Sequence, residues 1–344
     1  MAKKKAVKRN LPRIDVHSHV IPQEMLRALE RNPARYRMRF EGEGDKRHLI
    51  REGGIMSPVF KEHYDPEAKV AGMDRKGLDV SVVSTAPTVF FYWLDADIAL
   101  EASRIINDGI AKMAAAKPDR LMGMGTLPMQ NPDAAIAELE RIVKQHGFRA
   151  VELGTSVEDE QLAHPRFRPV LRRIQELKVF VFAHPYSMTP ECGLEHYHLR
   201  NLIGNPLHTT IMAGNLMFSG ALDELKDLKI LLAHGGGYVP YQIGRFAHGL
   251  KVRKDTAERT RTSPYRFLRR FYYDALTHDP RALRYLIDMV GADRVTIGTD
   301  APFDMGEEKP IQMIGKVKGL KPAERDRIFC RTAMHLLGKM HRRG

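Results

Sequence analysis

The chain has 344 residues, of which 43% are hydrophobic and 28% are charged, and its formal net charge is +13. This is an ordinary composition for a soluble protein, and the length suits one (β/α)8 barrel with insertions. No apolar run is long enough for a transmembrane helix, and the basic start lacks the apolar segment of a secretory signal. The two distant cysteines, Cys192 and Cys330, exclude a disulfide framework and predict a cytoplasmic location.

Eight short segments rich in β-branched and apolar residues recur along the chain and alternate with longer helical patterns. Several of them are continuously apolar, as strands buried on both faces should be. Helices are predicted over 95–118, 132–147 and 279–291, the last two with a proline in the first turn and a glycine at the end. The predicted strands cover 13–17, 80–85, 121–126, 149–154, 179–184, 229–234, 271–275 and 295–300.

Eight β–α repeats predict a TIM barrel rather than an open doubly wound sheet, because no G-x-G-x-x-G follows the first strand. We expect a single domain over residues 11–344, preceded by a basic tail at 1–10. The polar segment 22–65 separates the first strand from the next helix, and it predicts a small insertion over the barrel mouth with a hairpin of its own. The residues after about 304 predict C-terminal helices.

The positive charge is concentrated in three segments, 3–9, 259–270 and 341–344. It is compatible with a solvated basic surface, with attraction of a small anionic substrate or with nucleic-acid binding. No zinc finger, RNA-recognition signature or basic recognition helix accompanies it. We therefore expect a small anionic substrate, with neither nucleic acid nor membrane as a partner.

Ligand-type side chains stand at the ends of four predicted strands: His17 and His19, His184, His234 and Asp300. Active sites of TIM barrels lie at these ends. Residues two apart in a strand face the same side, so His17 and His19 both point to the barrel mouth, where a cation between them would resolve their repulsion.

Three imidazoles and one carboxylate, from His17, His19, His184 and Asp300, suit a catalytic zinc with an open position for water; manganese and iron stay possible. His234 precedes three glycines, which permit close approach of a substrate. It is interpreted as a general base that acts on the metal-bound water, with a fifth ligand as the alternative.

These residues resemble the amidohydrolase superfamily, and within it the amidohydrolase-related branch of mononuclear decarboxylases and hydrolases. The similarity runs from about Ile14 to Leu337. It is carried by "IDVHSHVIP", "STAPTVFFYW", "GTLPMQNPDAAIAELE", "LLAHGGGYVPYQIGRFAHG", "DALTHDP" and "IGTDAPF". No lysine ends strand 4 in "AVELGTS", which agrees with a single metal.

The resemblance implies roles for individual residues. His17, His19, His184 and Asp300 would bind zinc, and His234 would activate the water. Arg245 would reach a substrate carboxylate from the neighbouring subunit of a homodimer. A second substrate-binding arginine of the family falls on Ser57 here, with Lys61 as the nearest cation, so the substrate is expected to differ from that of the nearest relatives.

The sequence therefore predicts a carboxy-lyase of the EC 4.1.1 type. Its substrate would be an unsaturated or aromatic carboxylic acid, such as a carboxymuconate semialdehyde or a hydroxybenzoate. Phe303 and Trp93, with Phe91 and Tyr92, are candidate walls for a planar substrate. The alternative is zinc-dependent hydrolysis or hydration of an amide, a lactone or a meta-cleavage product, in which Asp300 would also shuttle protons. A barrel that only binds a ligand is the third hypothesis.

Overall fold

The computed structural model describes residues 11–52, 56–186 and 193–338. The predicted basic tails and Cys192 lie outside the described residues. Within the described ranges, no helix is both long enough and apolar enough to cross a lipid bilayer.

In the described part of the chain, parallel strands form a barrel wall in the same order in space as in sequence. Bridges from Asp15 to Ile297 and from Ser18 to Ala301 join the last strand region to the first and close the ring. The predicted barrel is confirmed. Its strands are Ile14–Val20 (β1), Val80–Thr85 (β2), Leu121–Gly123 with Gly125–Thr126 (β3), Ala150–Gly154 (β4), Phe180–His184 (β5), Ile230–Leu232 (β6), Tyr272–Asp274 (β7) and Val295–Thr296 (β8).

Strand β1 is longer than predicted and contains a bulge. Its register against β2 shifts between Asp15 and Ser18. Simple alternation would put Val16 and His17 on opposite sides of the strand. Instead Val16 packs in the barrel core, and the ring of His17 lies 4.8 Å from that of Phe182 in the same interior. Bulges near active sites re-aim side chains in this way.

Two predicted strands are shorter than expected, because β6 ends at Leu232 and β8 ends at Thr296. His234 and Asp300 therefore lie on the loops that follow these strands. Both have a positive φ, 56° and 59°, which an extended strand does not accommodate. The loops leave the barrel at these residues and turn their side chains into its mouth.

Helices surround the barrel, and the three predicted from sequence are confirmed with ends that shift by no more than two residues. In Pro132–His146, the side chain of Asn131 accepts hydrogen bonds from two backbone N–H groups, and Gly147 ends the helix at φ 68°. The longer helices are Pro66–Lys76, Ala96–Ala116, Pro132–His146, Arg168–Glu176, Asn205–Phe218, Val239–Val252 and Pro280–Val290. The shorter ones include Pro310–Gly315, Pro322–Asp326 and Thr332–Leu337, which confirm the expected C-terminal helices.

The segment between β1 and the next long helix contains more structure than the predicted hairpin. It begins with helix Gln23–Arg31, whose apolar side chains are buried. Three antiparallel strands follow in the order Met38–Glu41, His48–Arg51 and Met56–Pro58. The sequence analysis predicts only a small insertion with a hairpin here, because charged residues surround the apolar positions of this helix.

Candidate metal centre

Five side chains meet at the mouth of the barrel. His17 and His19 come from β1, His184 ends β5, and His234 and Asp300 lie on the loops after β6 and β8. The structure thus brings these five residues together at the carboxyl ends of the strands, where the sequence analysis expects them.

The ring nitrogens and the carboxylate lie within a few ångströms of one another. The Nε2 atoms of His17 and His19 are 3.1 Å apart. Asp300 Oδ1 lies 3.3 Å from the first and 3.0 Å from the second. The ring of His184 has its centroid 5.1 Å from that of His17 and 4.9 Å from that of His19.

His234 is as close to the centre as the predicted ligands are. One donor atom each of His17, His184, His234 and Asp300 lies within 4.8 Å of the others. His234 Nε2 is 3.6 Å from Asp300 Oδ2. Distance alone therefore leaves both roles of His234, ligand and base, open.

In three of these histidines, His17, His19 and His184, the outer ring nitrogen has an acceptor. His17 Nδ1 lies 2.7 Å from Asp274 Oδ2. Backbone carbonyl oxygens lie 3.1 Å from Nδ1 of His19 and 2.7 Å from Nδ1 of His184. Acceptors at Nδ1 favour a proton on that nitrogen, so Nε2 is the ring atom that faces the centre.

The electrostatics of the group suit a cation. Burial lowers the pKa of His19 to about 4 and that of His184 well below its ordinary value, so both imidazoles are neutral. Burial opposes ionisation of Asp300, but the neighbouring His17, His19 and His234 hold its pKa well below the usual range. His184 Nε2 has no hydrogen-bond partner among the described residues. The neutral Nε2 of His184 therefore faces the ionised carboxylate of Asp300, and no described residue donates a hydrogen bond to this nitrogen. A metal ion would satisfy both groups.

Asp274, at the end of β7, was missed by the sequence analysis. Besides contacting His17, its carboxylate accepts hydrogen bonds from the backbone N–H groups of His234 (2.9 Å) and Gly235 (2.8 Å). Asp274 thus fixes the ring of His17 on β1 and the start of the loop that follows β6. An acidic residue one position before the end of the predicted strand "FYYDA" was the available signal, since four other strands also ended in ligand-type residues.

Glu152 is a second residue that sequence reasoning passed over. It stands inside the apolar strand β4 and is fully buried. Its carboxyl oxygen lies 3.7 Å from His19 Nδ1, and burial raises its pKa well above the ordinary value. Burial therefore favours the neutral form of this carboxyl group. A glutamate within an otherwise apolar strand pattern could have indicated it.

A cavity of about 540 Å³ opens beside the centre. His234 and Asp300 lie in its wall, together with Gly235 and Gly237 of the glycine-rich loop. Most of the remaining wall is apolar or aromatic: Leu202, Pro206, Tyr238, Pro240, Tyr241, Leu276, Ala282, Tyr285, Leu286 and Met305. A planar molecule of moderate size could reach the centre from this side.

The structure places the predicted substrate-binding residues outside the lining of this cavity. Arg245 is exposed on helix Val239–Val252. Phe303 lies between two imidazoles, with its ring centroid 5.5 Å from that of His19 and 5.3 Å from that of His63. Phe303 is thus near the centre, whereas Arg245 does not reach it within its own subunit.

Trp93 and Ser57 lie on the side of the insertion. The guanidinium of Arg51 stands 4.6 Å above the ring of Trp93, a cation–π contact. Ser57 is buried and accepts a hydrogen bond of 3.3 Å from the Thr88 hydroxyl. Arg51 belongs to the strand beside that of Ser57, so a cation other than Lys61 lies on this side of the barrel, next to Trp93.

Comparison with known proteins settles the family. The amidohydrolase family model matches residues 14–339. The chain belongs to the amidohydrolase family. Over 328 residues this amidohydrolase is 31% identical to 2-amino-3-carboxymuconate-6-semialdehyde decarboxylase of Dictyostelium discoideum, with 95% of this chain and 91% of the relative covered.

Two further similarities extend the comparison. Gamma-resorcylate decarboxylase of a Polaromonas species is 30% identical over 254 residues, covering 69% of this chain and 77% of the relative. A crystal structure of a dihydroxybenzoic acid decarboxylase from Polaromonas, with bound manganese and the inhibitor 2-nitroresorcinol, superposes with a TM-score of 0.78. It is 23% identical and covers 95% of this chain and 97% of its own, so it shows the shared barrel fold.

Proposed function

We propose that this amidohydrolase is a metal-dependent, non-oxidative decarboxylase of an unsaturated or aromatic carboxylic acid. The substrate would be of the carboxymuconate-semialdehyde or hydroxybenzoate type. The observation that carries the proposal is the convergence of His17, His19, His184 and Asp300 beside a mostly apolar cavity. The two curated relatives, both decarboxylases of unsaturated or aromatic acids, support the reaction class.

The residues that would hold the ion are His17, His19, His184 and Asp300. Two of these imidazoles have lowered pKa values, and the carboxylate is ionised, as coordination requires. The pKa of His17 is raised to about 10, so its extra proton would leave when an ion binds. We propose a single divalent ion. Three nitrogen donors and one carboxylate favour zinc, and manganese is the alternative because the same donor types accept it.

A bound ion would supply a Lewis acid that takes substrate oxygen atoms and stabilises negative charge. In the overall reaction the bond between the carboxyl carbon and its neighbour breaks, carbon dioxide leaves, and the neighbouring carbon takes up a proton. His234 is the residue proposed to handle protons, because its ring lies in the cavity wall and its Nε2 faces Asp300. Asp274 orients His234 through the backbone N–H.

We further propose a homodimer in which Arg245 serves the site of the partner subunit. Arg245 is exposed on its helix and does not line the cavity of its own subunit. The same helix exposes Tyr241 (77%) and Val252 (56%), and Tyr265 nearby is 49% exposed. Large apolar side chains exposed together on one face are typical of an interface. A guanidinium there would bind a carboxylate in a bidentate manner.

The alternative is hydrolysis or hydration at the same centre, of an amide, a lactone or a meta-cleavage product. Both reactions use the same residues, so products must separate them. The test is to incubate metal-loaded protein with a panel of hydroxybenzoates and muconate semialdehydes in ¹⁸O-labelled water, and to measure carbon dioxide in the headspace and the mass of the product. Carbon dioxide without label in the product supports the decarboxylase; labelled product without carbon dioxide overturns it in favour of the hydrolase.

A further inference from the structure

Two asparagines lie in the wall of the cavity that contains His234 and Asp300. Asn201 belongs to the π-helical turn Arg200–Gly204, and Asn205 begins the following α-helix. The two positions are four residues apart, so their side chains project from about the same face of the helical segment. π-helical turns of this kind are frequent at functional sites.

This wall is attached to the loop that carries His234. The hydroxyl of Tyr238 donates to the carbonyl oxygen of Ile203 at 3.2 Å, and the backbone N–H of Tyr238 donates to the Thr210 hydroxyl at 2.8 Å. Gly237 permits the contact, since a Cβ there would lie 2.2 Å from the carbonyl oxygen of Pro206. The positions of the two asparagines are therefore fixed relative to the loop that carries His234.

The amide groups of Asn201 and Asn205 make no hydrogen bond with any described residue, although both side chains are half-buried. Two tyrosine hydroxyls of the wall are already engaged. The hydroxyl of Tyr285 donates to the carbonyl oxygen of Pro240 (3.1 Å), and that of Tyr238 is bonded to the backbone as described. Two uncommitted carboxamides that are not sealed from solvent are free to hydrogen-bond a ligand that enters the cavity.

The charge of the wall limits what that ligand group can be. Among the described residues that line the cavity there is no lysine or arginine. A carboxamide both donates and accepts hydrogen bonds without carrying charge, so it suits a neutral polar group better than a second carboxylate. The substrate carboxyl group would instead be bound at the metal centre and by Arg245 of the partner subunit.

We propose that Asn201 and Asn205 determine specificity by binding a neutral hydrogen-bonding substituent, such as a hydroxyl or amino group, on the part of the substrate away from its carboxyl. The inference rests on the proposed function, because it assumes that the acid occupies this cavity. It narrows the substrate class to ring or chain acids that carry such a substituent, and it disfavours acids whose distal end is only apolar.

The test compares hydroxyl with methyl at the same ring position. The probes are 2-hydroxybenzoates that carry either group at carbon 4 or carbon 5, and calorimetry measures their binding to metal-loaded protein. We expect the hydroxyl compound to bind about tenfold more tightly than its methyl partner at one of the two positions in the wild type. The double variant Asn201→Leu, Asn205→Leu should lose this preference while keeping affinity for the methyl compound.

Asn215→Leu is the matched control, because Asn215 lies on the same helix but is exposed and bonds only to the backbone of Ile211. It should retain the preference. If the double variant does not fold, Asn201→Ala and Asn205→Ala serve singly. Equal binding of the hydroxyl and methyl compounds by the wild type, binding of none of the four, or an equal loss in Asn215→Leu would overturn the inference.

The two proposals fail in distinguishable ways. A hydroxyl preference that the double variant loses, without carbon dioxide release from any acid, would refute the decarboxylase and leave the role of the asparagines standing. Carbon dioxide release without a hydroxyl preference would support the decarboxylase and refute the role of the asparagines.

Discussion

His17 and Asp274 form a fully buried pair, with His17 Nδ1 2.7 Å from Asp274 Oδ2 and neither side chain exposed to solvent. The pair links the first and the seventh strands of the barrel. The same carboxylate holds the backbone of His234 and Gly235, so a single acid positions both a proposed ligand and the proposed base. Carboxylates that orient metal-binding histidines in this way tune the affinity for the ion.

Asp274→Asn should weaken metal binding by about 10- to 100-fold, because the amide no longer supplies a charged acceptor to His17 Nδ1. Competition with a fluorescent chelator measures the effect. The control is Asp288→Asn, whose carboxylate is exposed and, among the described residues, pairs with Arg284 alone. Wild-type affinity in Asp274→Asn would show that the contact with His17 does not orient the ring toward an ion.

His234→Asn should keep the metal and lower the rate of decarboxylation by about 10²- to 10⁴-fold, because the proton-handling group is removed. Asparagine is chosen since it tolerates the positive φ of 56° at this position. Metal content per chain and turnover are measured on the same preparation. If the variant loses the ion as well, His234 is a ligand, and the alternative from the sequence analysis is correct.

Metal affinity should rise with pH. Burial alone lowers the pKa of His17, but the carboxylates of Asp300 and Asp274 override this and raise it to about 10. Below that value His17 carries a proton that coordination must displace, whereas His19, with a pKa of about 4, is already neutral. One released proton makes the apparent affinity rise about tenfold per pH unit from pH 6 to 9. Chelator competition at four pH values checks the slope, and a flat profile would contradict it.

Gly237→Ala should destabilise the fold by about 1–3 kcal/mol, since the position combines a φ of 61° with a carbonyl oxygen 2.2 Å from the added Cβ. Gly249→Ala is the matched control, because this helical glycine has nothing within 4 Å of the added atom, and alanine there should stabilise by about 1 kcal/mol. Urea unfolding measures both. Equal free energies of unfolding for the two variants would mean that the loop around Gly237 accommodates the added methyl group without loss of stability.

The sequence was most informative where local pattern and chemistry agree. Apolar runs with helix caps between them specify the barrel, and His17, His19 and His184 lie at or near strand ends as predicted. What it could not supply depends on contacts between distant segments. The bulge in β1 is visible only in its pairing with β2, and the role of Asp274 depends on a neighbour more than 250 residues away.

The insertion illustrates the opposite difficulty. Its many charged residues predict a small insertion with one hairpin, yet helix Gln23–Arg31 buries its apolar side chains against the barrel. Amphipathic spacing over so short a segment is outweighed by the polar composition around it, and only tertiary packing decides between helix and loop. The same packing brings Arg51 over Trp93, which no spacing in the sequence indicates.

Complementation between inactive subunits tests the role of Arg245. If its guanidinium serves the partner's site, Arg245→Ala and His234→Asn each abolish turnover at low substrate concentration, but a mixed dimer contains one site with both wild-type residues. Random exchange of subunits should then restore about a quarter of wild-type activity. Arg253→Ala is the control for charge on the same surface, since Arg253 follows the helix and pairs with Asp255. Activity of the mixture no higher than the mean of the two variants would mean that Arg245 does not act across the interface.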